Sequence, residues 1–415
     1  MLFDQMILGE DVVYSTDSKI TGLNNNVLVC GSSGSGKTMS VIEPRLLETY
    51  HNNLVVTVTK RRLVKLYTPL FEKRGYEVLD LNFVKPGESK VAYDPLMFVK
   101  DYTDVRFFAS SVVGANPRKS QSNADPYWDD VSISLLSAEI AYVIMKKPDA
   151  TFADVLDFHD RLKITEDGGS ISTNFDERFD ELAKEDPSCF AVTCWKSFRQ
   201  LPIKTALCVY SALNTTLDTI FSPDLRKMIE IEDKIDIKKL ATKKTVLFVS
   251  TSAVNPALNA FINSFYGQMF KQLFELAEGY DNGHLPIPLH VLCDDFATGS
   301  PIQLFPEYIS ILREKLISVM ILVQSESQLE AMYGESNATT IINNCDTYVF
   351  TGSMDLMTGR SISARLNVPL DEVLYMPVGE VVLFRRGQPP IKTVRFNTLA
   401  HEQYELLLKN KERVG

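Results

Sequence analysis

The sequence predicts an α/β fold, a doubly wound, mainly parallel sheet interrupted by a helical insertion. Three observations predict it. Short β-branched runs, several of them apolar on both faces, alternate with helical patterns, as in a parallel sheet covered by helices. A Gly/Ser-rich segment, Gly31-Ser32-Ser33-Gly34-Ser35-Gly36-Lys37-Thr38, joins an apolar run to a helical pattern. The alternation lapses between about residues 125 and 240 and resumes at Thr245.

In chain order, strands are expected at residues 26–30, 54–59, 77–82, 245–251, 290–295, 318–324, 347–351 and 381–385, with helical patterns between most of them. The interrupting segment reads as helices at 129–146, 152–162, 174–184, 190–200 and 203–221. Turn signals separate these helices: Lys147-Pro148-Asp149, Asp167-Gly168-Gly169, Asp186-Pro187 and Ser222-Pro223-Asp224. Residues 1–125 and 236–415 are therefore expected to form one discontinuous domain, and 126–235 an all-α insertion. There is no internal repeat and no low-complexity linker.

Composition narrows the function classes. The chain has 415 residues, 45% of them hydrophobic and 23% charged, as in an ordinary globular protein. A net charge of −10 argues against a basic face dedicated to duplex DNA, while leaving room for a locally basic channel. The six cysteines are scattered without a C-x-x-C pair and the five histidines do not cluster, so neither a disulfide framework nor a zinc site is expected and the compartment reads as reducing cytosol. No apolar segment approaches the roughly 20 residues of a membrane span, and the first residues lack the pattern of a signal peptide.

The segment 31–38 matches G-x-x-x-x-G-K-[ST], preceded by a strand and followed by a helical pattern over 39–50. Glycines let successive N–H groups point inward at a phosphate, and the helix N-terminus adds partial positive charge. Lys37 would reach the β- and γ-phosphates, and the Thr38 hydroxyl would ligate Mg²⁺. Nucleotide binding, with ATP and Mg²⁺, is the expectation. Such a loop needs an acidic partner at the end of a neighbouring buried strand. His290-Val291-Leu292-Cys293-Asp294-Asp295 supplies one: Asp294 would hold Mg²⁺, directly or through water, and Asp295 would polarise the attacking water. Gln324 ends the next apolar run, where an amide can sense the γ-phosphate or orient that water. Arg313 lies eleven residues earlier and is either a solvated helix-end residue or an arginine that completes a neighbouring subunit's site.

The ordered motifs resemble the VirD4/TraG group of type IV secretion coupling proteins, the conjugation ATPases. The likeness covers most of the chain. It rests on the loop 31–38, on Tyr93-Asp94-Pro95-Leu96 beside the family's Y-N-P-L, and on Tyr127-Trp128 opening a long helix before the insertion. It continues with Asp294-Asp295-Phe296-Ala297, similar to D-E-F-A, and most specifically with the run from Gln324 through Gln328, Leu329 and Tyr333 to Gly334, similar to Q-S-x-x-Q-L-x-x-x-Y-G. The resemblance implies a RecA-like P-loop NTPase fold and places Arg313 at the family's intersubunit arginine. It further implies a hexameric ring that spends ATP to deliver a relaxase-bound single-stranded DNA, or a protein cargo, into a secretion channel.

Three departures stand out. Asp295 replaces the usual Glu and is one methylene shorter, which implies slower hydrolysis or a bridging water. Val58-Thr59-Lys60-Arg61-Arg62 stands where D-P-K-G-E is common, so only Lys60 carries over. Members usually begin with two membrane-spanning helices, and only about 26 residues precede the strand before the phosphate loop here; the expectation is a cytoplasmic protein held at the inner face of the bacterial cell membrane by a separate membrane component of the channel. Lys60, Arg61, Arg62 and Lys65, with Arg385 and Arg386, are candidates for a DNA-tracking path, or else solvated charges at element ends. The insertion, mixed in charge, suits docking of a protein such as a relaxase; its Phe190, Trp195 and Phe198 are either a stacking surface or, at their helical spacing, core residues. Two other readings stay open: another hexameric DNA translocase, and a nucleotide-gated adaptor with little turnover, which the short Asp295 favours.

Overall fold

The computed structural model describes residues 4–114, 126–167, 170–252, 256–296 and 301–414. The chain divides into two compact units, one formed by Met1–Asn82, Asp236–Ala253 and Phe270–Gly415, the other by Phe83–Ile235 and Val254–Met269.

The first unit is built on a nine-stranded sheet. Its strands are β1 (Val27–Cys30), β2 (Asn53–Val58), β3 (Glu77–Asn82), β4 (Thr245–Ser250), β5 (Leu289–Cys293), β6 (Ile317–Val323), β7 (Thr347–Phe350), β8 (Glu380–Arg385) and β9 (Ile391–Val394). The spatial order is β9-β8-β7-β1-β6-β5-β2-β4-β3. From β7 across to β3 every pairing is parallel, and β8 and β9 add an antiparallel edge. Every residue of β1, β2, β4, β5 and β7 is buried, which is why these strands read as continuous apolar runs and not as alternating ones. The sheet is the mainly parallel one that the sequence predicts. Strand β9 is an addition: its side chains are half-buried or exposed, so no buried run marks it.

A hairpin of Gln5–Gly9 with Val12–Ser15 was not expected from sequence. It explains a buried cation. Arg45, on the helix Glu43–Leu47, is 1% exposed, lies 3.5 Å from Asp4 and donates to the Gln5 carbonyl and to His290 Nδ1. Asp4 also accepts from the N–H groups of Tyr50, His51 and Asn52. An isolated buried guanidinium would be costly, and Asp4 supplies its counter-charge.

The second unit is predominantly helical. It includes Tyr102–Gly114, Pro126–Lys146, Phe152–Asp160, Asp176–Glu185, Phe190–Arg199, Ile203–Ile220 and Pro223–Ile229. It also carries a hairpin, Ile164–Asp167 paired with Ser170–Thr173, so it is not purely α; Gly168 and Gly169, read as a turn signal, lie outside the described residues. The unit starts at Phe83 and not at 126, because the segment after Asn82 forms no strand and its helix Tyr102–Gly114 packs on Pro126–Lys146. Trp195 and Phe198 are core residues, Trp195 stacking on Phe179 at 4.2 Å, and Phe190 stacks on Tyr102. The Tyr93-Asp94-Pro95-Leu96 segment is structural here. Tyr93 is fully buried and donates to Gln268, while Asp94 accepts from the N–H groups of Leu96 and Phe152.

Candidate active site

The loops that leave β1, β5, β6 and β7 emerge at one end of the parallel sheet, where ligands bind in open α/β folds. The Gly-rich loop leaves β1 at Gly31, whose N–H donates to the Val323 carbonyl at the end of β6. Ser32 N–H donates to the Gly352 carbonyl beyond β7. Two glycines are required here. A Cβ on Gly31 would collide with the Thr351 hydroxyl, and Gly36 has φ +85° with the Arg395 guanidinium 2.5 Å from where its Cβ would stand.

The helix after the loop opens with one wide turn over Thr38–Ile42, the Glu43 N–H reaching back five residues to the Thr38 carbonyl. Pro44 follows at once and has no N–H to give, so the wider turn accommodates the loss before the α-helix Glu43–Leu47.

Lys37 is 8% exposed and donates to the Gly31 and Ser32 carbonyls. Burial lowers its ammonium from the usual value, and the charges of Asp295 and Asp294 oppose that. The Thr38 hydroxyl lies 3.0 Å from both carboxylate oxygens of Asp294. Burial first, then the like charge of Asp295, pushes Asp294 up to about 6, against the pull of Thr38 and Lys37. Lys60, two residues past β2, also draws it down. A carboxylate held in this way next to a hydroxyl, with a second carboxylate repelling it, is an arrangement that a small hard cation relieves.

The acidic pair does not extend β5 as expected. The strand stops at Cys293; Asp295 adopts φ 53°, in the left-handed region, and Phe296 N–H donates to the Leu322 carbonyl of β6. Ala297, part of the sequence motif, lies outside the described residues. Gln324 follows the last residue of β6, and its N–H donates to Gln328 Oε1. Ser325 then caps the helix Glu326–Tyr333. The fold thus gathers residues 31–38, Asp294, Asp295 and Gln324 at one end of the sheet. Arg313 is elsewhere. It precedes β6, is exposed, and donates to the Gly22 carbonyl; seven residues of strand, roughly 20 Å, separate the two ends.

Three residues of the site are not evident from the motifs. Thr351, at the end of β7, accepts or donates to the Ser35 hydroxyl at 2.8 Å; a polar Thr-Gly closing an apolar strand is its only sequence signal. Arg395, just past β9, donates to the Ser35 carbonyl at 2.7 Å, and Thr398 donates to the Met39 carbonyl. Nothing in the sequence links positions some 360 residues apart. Conversely, much of the expected basic path is engaged. Arg61 holds Asp80 and Ser250, Arg62 holds Glu43, Arg386 holds Asp346, and Arg385 lies 3.6 Å over the Tyr14 ring.

A phosphate-type loop between strand and helix, with an acidic strand end beside it on a parallel sheet, defines a P-loop NTPase of the RecA-like class. The family model for type IV secretory system conjugative DNA transfer matches residues 4–368, and the chain belongs to that family. Solved structures agree in fold. The bacterial conjugative coupling protein TrwBdeltaN70 in complex with sulphate is 16% identical, with a TM-score of 0.67 over 89% of this chain and 85% of that one. The plasmid coupling protein TrwB in complex with the non-hydrolysable ATP analogue ADPNP is 16% identical, with a TM-score of 0.66 over the same shares. VirB4 of Thermoanaerobacter pseudethanolicus is 13% identical, with a TM-score of 0.55 over 92% of this chain and 91% of that one. No curated protein sequence matches significantly. None of the described helices is long and apolar enough to cross a membrane.

Proposed function

We propose that this chain is an ATP-dependent coupling protein that receives a relaxase–single-stranded DNA complex, or a protein cargo, and passes it to a type IV secretion channel. Family membership supports the setting, and TrwB relatives in complex with ADPNP and with ADP and Mg²⁺ support the nucleotide and metal. The observation that carries the reading is the contact of Thr38 with both oxygens of Asp294, beside a buried Lys37.

In this reading the backbone N–H groups of 31–38 and the Lys37 ammonium bind the phosphates, and Thr38 and Asp294 hold Mg²⁺. The metal, when bound, supplies positive charge against the phosphate oxygens. Asp295 orients and deprotonates the attacking water, Gln324 hydrogen-bonds it or the γ-phosphate, and Arg313 serves the site of an adjacent copy in a hexameric ring. A membrane component of the channel recruits the ring to the inner face of the cell membrane. ATP hydrolysis by the purified chain, with and without single-stranded DNA and across protein concentrations, tests this against Lys37→Ala. Activity that climbs steeply with concentration or DNA and vanishes in the variant is the expected result; nucleotide binding with no turnover under any condition overturns the autonomous motor. The left-handed backbone and short side chain of Asp295 favour one second reading, a nucleotide-gated adaptor. Under it, transfer fails with Lys37→Ala and survives Asp295→Asn.

A further inference from the structure

A groove of about 1000 Å³ runs between the helices Arg62–Lys73 and Glu402–Val414 of the first unit. The sequence dictates its walls. On the first helix, Leu63, Tyr67 and Phe71 turn into the core, while Leu66 and Pro69 are left to line the groove. On the second, Tyr404 and Leu407 seat the helix on the same core, leaving Leu406 and Leu408 at 49% and 41% exposed.

The rim is cationic. Arg61, Arg62, Lys65, Lys73 and Arg74 line it, and among the described residues no carboxylate does. Arg62 is engaged by Glu43, and Arg74 by the carbonyls of Leu47 and Thr49. Lys65 and Lys73 have no ion-pair partner among the described residues and are both exposed. In a chain of net charge −10, a leucine-floored trough whose charged lining residues, among those described, are all positive is a local inversion.

We propose that this groove docks an acidic amphipathic helix of a partner protein. Its apolar stripe would lie on Leu66 and Leu406, and its carboxylates would meet Lys65 and Lys73. These lysines are eight residues apart, about 12 Å along the helix axis, which two acids seven or eight residues apart on a partner helix can span. A flat membrane is a poorer fit, because the apolar side chains line a trough between two helices and do not project beyond the charges.

The test is fluorescence anisotropy of the full chain with a labelled synthetic peptide carrying leucine on one helical face and glutamate flanking it. Binding is expected to weaken about tenfold in the doubly substituted Lys65→Glu/Lys73→Glu chain. That variant is expected to prefer a lysine-for-glutamate peptide, and Leu406→Ser to weaken both. Because all three positions are exposed, unchanged thermal unfolding is expected, and the reversed preference cannot come from misfolding. Equal binding by wild type and variant overturns the proposal. So does binding to phosphatidylserine vesicles without binding to the peptide, or self-association in sedimentation that depends on Lys65.

Discussion

Asp294 shows how a single carboxyl is readied for a cation. Burial and the Asp295 charge push it up to about 6, while an unperturbed aspartate titrates near 3.8. The folded protein therefore holds a proton that the unfolded chain has released, and metal-free stability falls as pH rises from about 4 to about 6. Asp294→Asn has no charge to bury. At about pH 7.5 the metal-free variant should be more stable than wild type by on the order of 3 kcal/mol, and below about pH 4 the two should coincide. Adding MgATP should reverse the order, since only the carboxylate can hold the metal; thermal unfolding at both pH values, with and without MgATP, measures all of this. A variant that loses stability at every pH would show that Asp294 is only a strand-end residue. At this scale the motif was legible because phosphate binding demands fixed residue types at fixed spacing, Gly31 and Gly36 through Lys37 and Thr38. Arg395 and Thr351 were not, because they act on the loop through a carbonyl and a hydroxyl, contacts that many residue types could make from any strand end.

At the scale of elements, legibility followed burial. Strands sunk between helix layers must be apolar on both faces, so β1, β2, β4 and β5 stand out in the sequence, whereas β9 and the hairpin at Gln5–Gly9 and Val12–Ser15 include exposed positions and do not. The hairpin Ile164–Asp167 with Ser170–Thr173 did carry a signal, two β-branched runs around a Gly-Gly pair, and the surrounding helical patterns masked it. Helix packing in that second unit holds one titratable device. His159, on Phe152–Asp160, faces Glu139, on Pro126–Lys146, at 2.9 Å, and both side chains are buried. Burial opposes the imidazolium, yet the Glu139 charge and hydrogen bond outweigh it and raise His159 above its usual value. A raised histidine stabilises the fold fully below about pH 6.5, and that contribution is lost as pH climbs through the folded value. Urea unfolding of the second unit should therefore come at a lower midpoint at about pH 9 than at about pH 6. Glu139→Gln should flatten that difference; an unchanged pH slope in the variant would remove the pair from the account.

At the scale of the whole molecule the decisive residue is Arg313. It sits at the start of β6, and the phosphate loop lies at the strand's far end, so within one chain the two cannot meet. If Arg313 completes a site, the site belongs to another copy, and the chemistry is a property of an assembly and not of a monomer. Complementation separates this from a solvated surface arginine. Lys37→Ala should abolish hydrolysis by removing the phosphate ligand, and Arg313→Ala should abolish it while leaving nucleotide binding intact. In an equal mixture, some junctions pair an intact loop from an Arg313→Ala chain with an intact arginine from a Lys37→Ala chain. Random assembly gives roughly a quarter of the junctions both groups, so about a quarter of wild-type activity should return on mixing two inactive proteins. An Arg313→Ala chain that hydrolyses ATP alone would make the arginine a surface residue. A mixture that stays inactive would mean that Arg313 does not complete a neighbouring copy's loop.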